Sequence, residues 1–301
     1  KNMHYLLEEA PEEIKMLMST TVTGVAVPSL EARLMNRIDF ARDLKRIPLF
    51  GLGCLAGTAG IARVADYLKG HPDQAAILLS VELCSLTLQA EDLSIANIIS
   101  SGLFGDGAAA VLMVGDRHPL LLKRAKIDTG KVAEKNRDRD TKTQSVFESK
   151  SLYPKIISSQ SIFFPESEKV MGWEVTDGGF KILLGQGVPG FAAQLGPHVE
   201  SFLSEQGLSI PDISLWLTHP GGPKVIDTLE STLNLTPKLL YKTRKHLREV
   251  GNISSTSVLI LLDEWMNDPE DNLAGSSGTN NFGMMLSLGP AFSGELVLLQ
   301  W

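Results

Sequence analysis

The sequence predicts a layered α/β fold made of two halves of related order. Three observations carry that prediction. Apolar, strand-like runs alternate with helical patterns rich in small residues, the signature of sheets covered by helices. Each half holds one buried helix introduced by a glycine and a polar residue, Gly53-Cys54 in the first and Gly251-Asn252 in the second. Each half then returns to apolar strands that include glycines.

The elements follow in chain order. Residues 18–28, "MSTTVTGVAVP", read as a β-branched strand running to a turn at Pro28, and 29–40 as a helix. Residues 46–50 read as a short buried strand. From Leu55 to Lys69, the spacing of Leu55, Ala59, Ala62, Ala65 and Leu68 fits a buried helix face, and Gly70-His71-Pro72 stops it. "AAILLSVEL" (75–83) and "GAAAVLMVG" (107–115) read as buried strands. The charged stretch at 121–150 lacks apolar periodicity and reads as a solvated insertion between the halves. The expected division is residues 1–118, a linker at 119–160, and residues 161–301. In the second half, 213–220 is a strand ending in a loop and 252–266 is a helix. Residues 281–290 and 294–301 are a closing strand pair.

Composition narrows the function. A chain of 301 residues with 43% hydrophobic content supports a substantial core. The net charge of −7 argues against a broad nucleic-acid surface, though a local basic patch could still hold phosphates. Two cysteines, Cys54 and Cys84, make no disulfide framework, and a reducing cytoplasm is the expectation. No apolar run reaches the ~18–20 residues of a membrane span.

Cys54, in "FGLGCLAG", admits three readings. Gly51, Gly53 and Gly57 follow a strand and open a helix, as in a dinucleotide loop. Their spacing is wrong for that motif, however, and Glu82 is too distant to be its acidic partner. A free cysteine can also be a small buried hydrophobe, which is the reading for Cys84. Third, a helix start stabilises a thiolate, and small neighbours leave room for an acyl group. Such a nucleophile needs a base. His4, His71, His118, His198 and His246 lie among polar or charged residues and read as solvated. His219 ends the apolar strand "SLWLT" and enters the slim loop "HPGGP", the kind of strand end where open α/β folds place chemistry. Asn252 starts the second buried helix, where it reads either as a cap or as a site residue.

Taken together, "GLGCLAG", "LFGDGAAAV", "THPGGPKVID" and "GNISSTSVLILLDE" resemble the motifs of chalcone synthase-like type III polyketide synthases, closer to bacterial members than to plant ones. The resemblance implies a thiolase-like layered αβαβα fold from two duplicated halves. The N-terminal half is expected to be incomplete, because the family's N-terminal section with basic residues that bind CoA phosphates is not found here. It places the catalytic triad on Cys54, His219 and Asn252 and the gatekeeping phenylalanine on Phe104. Thr23, Gly178 and Leu288 match cavity-shaping positions, and Gly221 and Gly222 of HPGGP join the expected substrate-binding set. Ser287, Leu288 and Ala291 depart from the plant pattern, so the plant substrate range is not implied.

The implied chemistry is transfer of an acyl group from acyl-CoA to Cys54, held as a thiolate by His219, followed by decarboxylative extension with malonyl-CoA. Fatty acyl starters giving alkylpyrones or alkylresorcinols are the first expectation. A malonyl-primed tetrahydroxynaphthalene-type synthase, a single-condensation ketoacyl synthase and an inactive truncated homologue are the alternatives. The resemblance implies a homodimer and no cofactor beyond the CoA thioesters themselves. No metal-ligand spacing is present.

Overall fold

The computed structural model describes residues 11–121, 153–176, 179–185, 187–267 and 281–301. Two four-stranded sheets form its frame. In the first, β1 (Ile14–Thr20) lies between β2 (Lys45–Leu49) and β3 (Ala75–Leu83), parallel to both. β4 (Asp106–Val114) adds antiparallel to β3. In the second, β8 (Ile213–Thr218) runs parallel to β9 (Phe282–Gly289). β10 (Ser293–Gln300) is antiparallel to β9, and β5 (Lys155–Phe163) is antiparallel to β10. A parallel pair followed by an antiparallel pair thus recurs in β1–β3–β4 and β8–β9–β10, which is the duplication the sequence suggested. β6 (Met171–Thr176) and β7 (Gly179–Leu184) form a separate antiparallel pair.

Side-chain alternation along the strands explains the layering. Met285, Val297 and Leu299 face one way, while Met284, Leu286, Leu296 and Leu298 face the other. The first set joins a central core with Met16, Met18 and Leu78 of the first sheet. Between the sheets lie helices α2 (Ala56–Gly70) and α8 (Ser257–Asn267), which contribute Ile61, Val64, Leu68, Leu261 and Trp265. Outside the second sheet, helices α5 (Leu195–Glu205) and α6 (Pro223–Thr232) bury Val199, Phe202, Ile226 and Leu229. Outside the first, Phe40 and Leu44 cover Leu17 and Ile77, with Leu34 of α1 (Leu30–Leu34) beside them. The order is helix, sheet, helix, sheet, helix: the αβαβα layering expected.

Several expectations shift. β1 ends at Thr20, and 21–28 is loop. β2 is largely exposed rather than buried, because it is the edge of its sheet. The helix at 29–40 shrinks to α1. The second half begins by Lys155, because β5 belongs wholly to its sheet; a linker reaching 160 would have cut that strand. Most of the charged insertion lies outside the described residues.

Candidate active site

The site forms where the two central helices begin. Residues Gly53–Leu55 make a single 3-10 turn ahead of α2, and Ser254–Thr256 make the matching turn ahead of α8. Gly57 lets the two turns touch: a Cβ there would collide with the Ser255 carbonyl and lie 2.8 Å from Val258 Cγ1. Gly53 has φ +53°, and its Cβ would come within 2.5 Å of Pro290, so glycine is required on conformational and steric grounds.

This close approach joins Cys54 to the second half. Its Sγ lies 3.5 Å from Ser254 Oγ. The Ser254 N–H in turn donates to Asn252 Oδ1 at 2.8 Å, which leaves the Asn252 side-chain amide hydrogens free to donate. Ser254 adopts φ +47°, an uncommon conformation for a residue with a side chain, at the contact between Cys54 and Asn252. Asn252 also bridges back to the first half. Its N–H donates to Leu103 O at 2.8 Å, and its carbonyl accepts from Gly105 N–H at 3.0 Å, around Phe104. His219 follows β8; its N–H donates to Leu286 O at 2.8 Å, and its own carbonyl accepts from Gly221 N–H at 2.9 Å. Gly221 passes close against the imidazole, and Gly222 precedes α6.

Cys54 opens on a small, mostly apolar cavity of about 20 Å³. Phe104, Met171, Trp173, Ile182 and Pro290 wall it, with Ser254 at its polar end. Sequence reasoning missed Met171, Trp173 and Ile182. They sit on β6 and β7, and the sequence signal was the Asp-Gly dipeptide at 177–178, a pair common in hairpin connections. Among the expected substrate-binding residues, Phe104 lines this cavity. Thr23 does not; its hydroxyl accepts from Leu83 N–H at 2.9 Å and fastens its loop to the end of β3. Leu288 packs into the second core. Gly178 lies outside the described residues.

The electrostatics correct the expected resting thiolate. Burial pushes the Cys54 thiol up to about 12, and the nearby Glu82 carboxylate acts in the same sense, against the Ser254 hydrogen bond. Burial holds His219 down to about 3. Both shifts favour the neutral forms, a protonated thiol at Cys54 and an uncharged imidazole at His219. The cause is desolvation: the Cys54 side chain is half-buried, and its sulfur faces a mostly apolar cavity.

Glu82 is a further residue the sequence did not single out for this site, although a carboxylate ending an apolar strand was the clue. It is fully buried and accepts from Val22 N–H at 3.0 Å and from the Ser255 hydroxyl. Ser80 extends the network to Ser255 at 2.9 Å and Thr256 at 2.7 Å. The turn that precedes α8 is therefore bonded to the end of β3. Two of the histidines expected to be solvated are buried as well, His118 at 3% and His246 at 1% exposure. Among the described residues no group of His, Cys, Asp and Glu could hold a metal ion, and no helix is long and apolar enough to cross a membrane.

Paired halves with a cysteine at one central helix start and an asparagine at the other define a thiolase-like condensing enzyme. Residues 5–150 match the family described as FAE1/Type III polyketide synthase-like protein, and 155–301 match Chalcone and stilbene synthases, C-terminal domain. The chain is 39% identical to the 1,3,6,8-tetrahydroxynaphthalene synthase of Streptomyces peucetius subsp. caesius, over 96% of this chain and 68% of that protein. It is 36% identical to a putative chalcone synthase of Bacillus subtilis, over 96% and 71%. The crystal structure of 1,3,6,8-tetrahydroxynaphthalene synthase from Streptomyces coelicolor superposes with a TM-score of 0.79 at 27% identity, covering 99% of this chain and 75% of that one. The chain belongs to the type III polyketide synthase family, acyltransferase-type enzymes that build polyketides by condensation.

Proposed function

We propose that Cys54 takes an acyl group from an acyl-CoA and that His219 Nε2 accepts the thiol proton during attack, passing it to the departing CoA sulfur. Malonyl-CoA then loses carbon dioxide while the Asn252 amide and the His219 ring donate hydrogen bonds to its thioester oxygen. The resulting enolate attacks the acyl-enzyme: a carbon–carbon bond forms, and the bond to Cys54 sulfur breaks. The observation that carries this reading is the chain of contacts Cys54–Ser254–Asn252, which joins the starts of both central helices at one cavity. Release of labelled carbon dioxide from malonyl-CoA tests it, with Asn252→Ala expected to lose most of that activity.

For the starter, the apolar walls suit an aliphatic chain, with alkylpyrones or alkylresorcinols as products. Each buried CH₂ would contribute ~0.8 kcal/mol. This reading requires the Trp173 and Ile182 walls to part. A second reading has a specific observation in its favour. A cavity of about 20 Å³ holds roughly one water, and relatives at 39% and 29% identity are named tetrahydroxynaphthalene synthases. A malonyl-primed enzyme needs no long tunnel. A series from hexanoyl- to palmitoyl-CoA decides: rising kcat/KM supports the first reading, and turnover of malonyl-CoA alone the second.

The proposed assembly is a homodimer. Val27 is 93% exposed, and Val25, Leu93, Ile95 and Ile98 form further exposed apolar surface that a second copy would cover. A cytoplasmic location is proposed on the same grounds as before, two unpaired cysteines.

A further inference from the structure

Two buried hydroxyl contacts repeat across the halves, and the chemistry above uses neither. On α2, Thr58 Oγ1 lies 2.7 Å from Ser287 Oγ on β9, a strand of the second half. Asn252 follows α7 (Tyr241–Val250) after Gly251, and in the turn beyond it Thr256 Oγ1 lies 2.7 Å from Ser80 Oγ on β3, a strand of the first half. The positions correspond. Thr58 stands four residues after Cys54 and Thr256 four after Asn252, while Ser80 and Ser287 are each the sixth residue of their strands. All four residues are fully buried, in the central layer where Ile61, Leu78, Val258 and Met285 supply the apolar packing.

We infer that Thr58 and Thr256 are positioning residues, Thr58 for Cys54 and Thr256 for Asn252, each pinning the start of its central helix to the sheet of the opposite half. The inference rests on the roles proposed above for Cys54 and Asn252. Apolar packing has no direction, so a helix start held by it alone can slide along the opposite sheet. A hydroxyl pair holds only over roughly 2.5–3.0 Å, which fixes that register. Threonine suits the task because its branched side chain is stiff at χ1. The other polar tie of α2 is looser: Arg63, long and half-exposed, reaches Glu295 and Ser161 nine residues beyond Cys54 and can follow a shift of the helix. On the Asn252 side, Ser80 also lies 2.9 Å from Ser255 Oγ, so removing the Ser80 hydroxyl loosens both ties of that turn to β3 at once. Because each pin serves one site residue, the two steps of the reaction separate them: Cys54 carries the loading step, and Asn252 acts in decarboxylation.

Two double variants of the whole chain test this, Thr58→Val with Ser287→Ala, and Thr256→Val with Ser80→Ala. Each removes both hydroxyls of a pair, so neither is left buried without its partner and stability is largely kept. Loading of Cys54 from hexanoyl-CoA is followed by intact mass in single turnover. Release of labelled carbon dioxide from malonyl-CoA is then timed on enzyme already loaded. The first double should lose on the order of tenfold in loading and stay within about twofold in carbon dioxide release. The second should show the reverse. A purely structural role would not separate the two steps in opposite directions. Wild-type rates in either double, or losses of equal size in both steps, overturn the inference. Should a double fail to fold, the single Thr58→Val and Thr256→Val variants are read in the same way. A chain that cannot fold without either pair also overturns it, because the pairs would then serve the fold rather than the steps. A wild-type chain that neither loads nor decarboxylates overturns the parent reading instead.

Discussion

At Cys54, desolvation outweighs the Ser254 hydrogen bond, and a consequence in pH follows. Alkylation proceeds through the thiolate, and the thiolate fraction rises tenfold per pH unit below the thiol's pKa. A thiol raised above the usual ~8.5 therefore reacts slowly in mildly acidic buffer and gains rate throughout pH 7 to 9. An iodoacetamide rate that is already level below pH 7 would contradict the neutral resting thiol. Cys54→Ala should abolish the acyl adduct seen by intact mass after incubation with acyl-CoA, and Cys84→Ala should not. Cys84 is itself buried at 5% exposure, and burial raises its thiol too. Asn252→Ala should slow malonyl-CoA decarboxylation by a factor worth about 3 kcal/mol, as for the loss of one oxyanion donor. Cys54, His219 and Asn252 were legible as candidates because motifs carry them. The resting charge of Cys54 and His219 was not, because it depends on the desolvation each side chain meets once the two halves pack. His246 was misread from its neighbours Lys245 and Arg248; the helical period turns it inward with Thr243, and only the packing of α7 on β8 reveals that.

Among the elements, α2 was legible almost to the residue, since small apolar residues recur on one face and Gly70 ends it. β3, β4, β9 and β10 were legible as apolar runs. The β6–β7 pair was not, because its strands pair only with each other and carry little apolar pattern. That omission hid three cavity walls. β2 was placed correctly in sequence but given the wrong burial, because edge position is a property of the sheet rather than of the strand. The contact between central helices yields a graded prediction. Gly57→Ala meets the rigid Ser255 backbone and should cost ~1–3 kcal/mol. Gly60→Ala meets only the ends of the Leu78 side chain, which can swing away, and should cost less. Urea unfolding of both variants checks the order; equal costs would mean that the turns can slide apart.

For the whole molecule, duplication explains why one cavity holds groups from distant parts of the chain: each half supplies a helix start, and the two meet at the central layer. The proposed homodimer, covering exposed apolar side chains such as Val27 and Ile98, should show as a dimer by light scattering at micromolar concentration, and Ile98→Asp should dissociate it. A monomeric wild type would contradict that assembly.

The central claim is that this site performs repeated decarboxylative condensation on Cys54. Product mass after incubation with hexanoyl-CoA and labelled malonyl-CoA, with malonyl-CoA alone run beside it, tests it most directly. The account predicts products that contain two or more malonyl-derived C2 units and that disappear in Cys54→Ala. A product with a single added unit, or multi-unit products that persist without the Cys54 thiol, would contradict it.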